Sequence, residues 1–90
     1  MCSRAKTLEE LGFIEKPIPA CIDKTIYPYI EYYKEVLDKH TKGWNITIDK
    51  QMKCFTLIRI DKNNLYFPTS VDESTFKAIS FKMYELGLWE

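Results

Sequence analysis

Charge of one sign, paired cysteines and long apolar runs are all missing from this chain. Thirteen Lys and Arg stand against thirteen Asp and Glu. The balance holds within each half, so there is neither a basic arm to draw a polyanion nor an acidic tail. Cys2, Cys21 and Cys54 form an odd, widely spaced set, which excludes the dense even framework of a disulfide-stapled secreted domain. Free thiols are expected instead, one or two of them buried as small apolar residues. With His40 they fall short of a zinc site, because structural zinc takes ligands in close pairs such as C-x₂-C. One histidine, scattered cysteines and no Gly-rich phosphate loop are a thin supply of reactive groups, so neither catalysis nor a cofactor is expected. No apolar stretch nears the roughly 20 residues of a bilayer span. The start, Met1-Cys2-Ser3-Arg4, has charge but no apolar run behind it, so a secretory signal is not expected and the cytoplasm is the default compartment. Asn45-Ile46-Thr47 fits a glycosylation sequon, which without such a signal reads as plain strand.

Hydrophobic residues make up 46% and aromatics an elevated 14% of the 90 residues. That supports one small domain over 1–90, burying near two-thirds of its unfolded surface by about the usual scaling. Thr7-Leu8-Glu9-Glu10-Leu11-Gly12 reads as a short helix with a capping box and a glycine stop. Pro17 and Pro19 then impose a wrapping loop. Residues 26–37 are ambiguous. Ile26, Tyr29, Ile30, Tyr33, Val36 and Leu37 fall at helical spacing, whereas Tyr29-Ile30-Glu31-Tyr32-Tyr33 is rich in strand formers. Trp44-Asn45-Ile46-Thr47-Ile48 and Cys54-Phe55-Thr56-Leu57-Ile58-Arg59-Ile60 alternate around a polar turn and predict a hairpin. Phe55, Leu57 and Arg59 oppose Cys54, Thr56, Ile58 and Ile60 across the second arm. Leu65-Tyr66-Phe67 predicts a short edge strand ended by Pro68. Ser70-Val71-Asp72-Glu73 reads as a capping box for a last helix with Phe76, Ile79, Met83 and Leu86 as its apolar seam. Lys77, Lys82 and Glu85 are expected to face water, and Leu88 and Trp89 to fold back onto the core.

The opening Leu8-Glu9-Glu10-Leu11-Gly12-Phe13 and the closing Phe76-Lys77-Ala78-Ile79 with Glu85-Leu86-Gly87 resemble small uncharacterised proteins of phages and prophages of Gram-positive bacteria. Those begin with a pattern like "LGY" and close on a helix reading "LKAI…ELGW". Here Leu88 stands between Gly87 and Trp89. The resemblance implies a strand at the tyrosine run and brings no catalytic residue, ligand or cofactor. The expected fold is therefore α+β: an antiparallel meander of three or four strands, a C-terminal helix across one face and a short N-terminal helix alongside.

Two adjacent tyrosines on a strand point to opposite faces, so one of Tyr32 and Tyr33 lies outside the core. Tyr29, Tyr32, Tyr33 and Trp44 are the candidate contact residues, since aromatics contribute interface area at little entropic cost. The expected function is that of a phage-type accessory protein binding another protein or its own copy, as in a homodimer, and catalysing nothing. The alternative is a single-stranded nucleic-acid module using the same aromatics with Lys50, Lys53 and Arg59, disfavoured by the neutral charge.

Overall fold

The computed structural model describes residues 6–23, 25–36 and 38–89; Cys2 and Leu37 lie outside them. The chain forms β1 (Ile14–Glu15), β2 (Tyr29–Glu35), β3 (Thr41–Asp49), β4 (Cys54–Asp61), β5 (Tyr66–Pro68) and α1 (Glu73–Glu85). The strands make one antiparallel sheet in the order β1-β2-β3-β4-β5. The class is α+β, with five strands rather than three or four. No helix among the described residues is long and apolar enough to cross a membrane.

Pairing with β3 resolves the ambiguous tyrosine run. Seven consecutive partners, from Tyr29↔Asp49 to Glu35↔Gly43, hold it extended. A strand presents Ile30, Tyr32 and Lys34 to one face and Tyr29, Glu31, Tyr33 and Glu35 to the other. Only the extended form lets Tyr32 join Ile46 and Leu57 in the core while Tyr33 stays out. The β3–β4 hairpin closes through Lys53 at φ 56°, and the β4–β5 turn through Asn64 at φ 64°.

The expected N-terminal helix is a single turn. Its reciprocal caps form: the Thr7 amide donates to Glu10 Oε1 at 2.9 Å and the Glu10 amide to Thr7 Oγ1 at 3.1 Å. Gly12, at φ 97°, then reverses the chain before a second turn can add. Without that second turn the cost of nucleation is not recovered by propagation. Leu8 and Phe13 are nevertheless buried, so the turn still contributes the core residues that the helix was expected to bring.

The cap of α1 also differs from expectation. Asp72, not Ser70, is the N-cap, and its carboxylate accepts from the Thr75 amide at 2.8 Å. The Thr75 hydrogen bonds hold the Asp72 carboxyl below its ordinary range. A depressed carboxyl contributes stability above its unfolded pKa and loses it as pH falls through the folded one. Asp72→Ala is therefore expected to cost about 1 kcal/mol near neutral pH. In thermal melts the penalty should shrink as pH falls below the ordinary carboxyl range, and Asp72→Asn should be nearly neutral throughout.

Ala78, Ile79 and Met83 are the buried stripe of α1, packed with Leu8, Phe13, Tyr32, Ile46, Ile48 and Leu57. The seam is narrower than its spacing suggested, since Phe76 and Leu86 stay 44% and 36% exposed. Lys82 is half-buried rather than open to water and pairs with Glu85 at 3.1 Å. The C-terminal tie is present. Leu88 and Trp89 pack against the core, and the Trp89 indole donates to the Lys53 carbonyl at 2.8 Å.

Candidate functional site: the bare sheet face

With α1 on one side, no helix among the described residues covers the other side of the sheet. The molecule is a slab of 46 × 38 × 19 Å. Its radius of gyration is 13.9 Å, against about 12 Å expected for a compact chain of this length. Side-chain alternation and register define what the open face carries. Ile14, Tyr33, Asn45, Ile58 and Pro68 are successive partners across all five strands. The neighbouring row runs Glu35, Gly43, Ile60 and Tyr66, and the row on the other side Glu31, Thr47 and Thr56. An apolar band therefore crosses the sheet, and the acids Glu31, Glu35 and Asp49 sit on β2 and at the far end of β3. Ile14 is 73% and Tyr66 67% exposed, while Tyr33, Ile58 and Ile60 are half-buried.

Tyr33 lies flat along this face. Its hydroxyl donates to the Lys42 carbonyl at 3.4 Å, and its ring covers Gly43 so closely that a Cβ there would collide with the phenol. Gly43→Ala is expected to swing the ring out and cost about 1 kcal/mol. In a double-mutant cycle by denaturant titration, that cost should largely vanish in a Tyr33→Ala background. Beside the ring, Asn45 Nδ2 donates to Thr47 Oγ1 at 3.2 Å, and Asn45 Oδ1 is buried with no hydrogen-bond partner.

The four aromatics singled out from the sequence divide between the two faces. Tyr29 and Tyr33 belong to the open face, and Tyr27 meets Tyr29 edge-on at 5.7 Å. Burial raises the Tyr27 phenol above its ordinary pKa, and the Glu31 carboxylate adds to this. Tyr32 is a correction. It is fully buried among the core residues, where its ring can touch no partner, because its register position faces α1. Its hydroxyl donates to Glu15 at 3.4 Å. Burial raises its pKa, an effect the nearby Lys82 ammonium opposes. Trp44 also turns to the helix side, half-buried. Ile14, Ile58, Ile60, Tyr66 and Pro68 take the places Tyr32 and Trp44 were expected to fill.

The basic residues do not gather with the tyrosines. Arg59 lies on the helix-bearing face with its guanidinium 5.0 Å from the Phe67 ring centroid, and Lys50 and Lys53 sit in the β3–β4 turn. Among the described residues no three His, Cys, Asp or Glu side chains converge as metal ligands would. Cys21 and Cys54 are exposed, against the expectation of burial, and His40 is exposed in the turn before β3.

Compared with known proteins, the chain matches no family model, no curated protein and no solved structure. Its function has to be argued from this face and these side chains.

Proposed function

We propose that the chain is a non-catalytic contact module, a cytoplasmic accessory protein of the phage or prophage type, that pairs with a second copy of itself through the bare sheet face. The carrying observation is the continuous row Ile14–Tyr33–Asn45–Ile58–Pro68, flanked by Ile60 and Tyr66. Exposed apolar surface of this kind is stabilised by being covered. The 29 described strand residues, each covering about 4.8 × 3.3 Å, give roughly 460 Å² per copy, or about 920 Å² for a pair. That lies below the standard interface size and fits a weak, reversible dimer.

A second copy is favoured as the occupant because the band can stack on itself. A twofold axis near Ile58 lays β4 over β4 at the usual sheet spacing of about 10 Å. The acids of β2 then lie toward the rims, where water screens them. Among the described residues, no Lys or Arg occupies the paired rows of this face, Lys42 standing apart at the β3 bulge beside Gly43, so the rows offer little to phosphates. The resemblance to small phage proteins agrees with a short accessory chain.

Sedimentation equilibrium across a concentration series tests the proposal. The expected result is a reversible shift from 10.7 kDa toward twice that mass, with a midpoint in roughly the micromolar range. The shift should weaken little as salt rises, because its source is apolar burial. A single 10.7 kDa species at every concentration, or retention on single-stranded oligonucleotide that fades with salt, would overturn it.

A further inference from the structure

Trp44 stands at the centre of a second surface, on the helix-bearing face and separate from the self-contact. Register sets Lys34, Trp44 and Arg59 side by side on β2, β3 and β4, with Phe67 next on β5. A cleft of about 230 Å³ opens there beside the start of α1. Phe13, Trp44 and Leu57 form its apolar walls, and Lys34, Ser70 and Asp72 its polar ones.

The state of the cations makes this cleft unusual. Lys34 Nζ lies 5.7 Å from the Phe13 ring centroid, and Arg59 lies over Phe67. Among the described residues the ion pairs are Lys77–Glu73 and Lys82–Glu85, so neither Lys34 nor Arg59 has a carboxylate of its own. Aromatic faces attract a cation but take none of its N–H donors in a conventional hydrogen bond. Asp72 attracts Lys34 at longer range, while its Oδ1 is occupied by the Thr75 amide. Lys34 therefore borders the cleft half-buried, with its ammonium donors unspent.

Such a cleft selects by three properties. Aromatic and aliphatic walls favour a flat apolar body, and a lysine with free donors favours an anionic group held on the Lys34 side, away from the Asp72 carboxylate that also lines the cleft. The volume lies below the usual range of about 300–1,000 Å³, so one ring fills it. We propose that the Trp44 cleft binds a small aromatic anion, a single ring carrying a carboxylate or phosphate, with the ring against Trp44 and the acid group on Lys34.

The test uses the full chain, with benzoate, phenyl phosphate and uncharged benzamide as probes, followed by the two indole N–H resonances. At least one anion should shift the Trp44 signal saturably in roughly the millimolar range while Trp89 stays still. Benzamide should bind about tenfold more weakly or worse. Tighter saturation by phenyl phosphate would assign the phosphate class, and tighter saturation by benzoate the carboxylate class. Lys34→Met should remove the preference for anions, with the unmoved Trp89 resonance showing that the fold persists. Equal binding of benzamide and benzoate, an unchanged preference in Lys34→Met, or no response of Trp44 to either anion would overturn the proposal.

Discussion

Replacing Ile79 by alanine is expected to remove about 3 kcal/mol from the stability of the domain. Ile79 is fully buried in the layer between α1 and the sheet, among Tyr32, Ile46, Ile48, Leu57 and Met83. Truncation loses the transfer energy of three carbons and leaves a void that the sheet, pinned by its ladders, cannot collapse to fill. In a domain of this size the melting temperature should fall by roughly 15 °C. Phe81→Ala is the matched control, since Phe81 is on the same helix but 53% exposed. It should cost less than about 1 kcal/mol. An Ile79→Ala variant that melts with the wild type would mean that α1 does not dock as described.

Ile58→Glu gives the second large effect, on association rather than folding. Ile58 lies on the open face between Asn45 on β3 and Pro68 on β5, half-buried. A carboxylate there remains solvated in the monomer, at an expected cost of about 1 kcal/mol. In the pair, the twofold axis brings two such charges together in a closed apolar layer, where neither finds a partner. Dimerisation should weaken at least about a hundredfold, equivalent to about 2.7 kcal/mol. The pair should return in part below about pH 4, where the introduced carboxyl protonates. Sedimentation of the variant beside Ile79→Ala separates loss of contact from loss of fold.

Much of this architecture is legible in the residues. Alternation in 44–48 and 54–60 specifies a hairpin and assigns Ile58 and Ile60 to the face opposite Leu57, where the structure has them. The Ser70–Glu73 signals and the spacing of Ile79 and Met83 announce the last helix, though its cap falls at Asp72 rather than Ser70. The tyrosine run carries both periods at once, and only its ladder to β3 decides between them. Ile14–Glu15 is too short for its alternation to announce β1. The N-terminal turn carries genuine capping signals, but Gly12 ends it before they can nucleate a helix. Adjacent Tyr32 and Tyr33 must part, yet both are aromatic, so composition does not say which is buried. Register decides it by setting Tyr32 beside Ile46 and Tyr33 beside Asn45. A large aromatic such as Trp44 suits either face, and its shared period with Ile46 and Ile48 sets it on the helix side rather than among the outer contacts.

Hydroxyl-radical footprinting at rising protein concentration tests most directly whether the bare side of the slab is where two copies meet. Oxidation of Tyr33, Ile58 and Tyr66 should fall as the pair forms, while Phe81 and Tyr84 on the outer side of α1 stay fully reactive. Protection of Phe81 and Tyr84 instead, or reactivity at Tyr33, Ile58 and Tyr66 that never changes, would contradict the account.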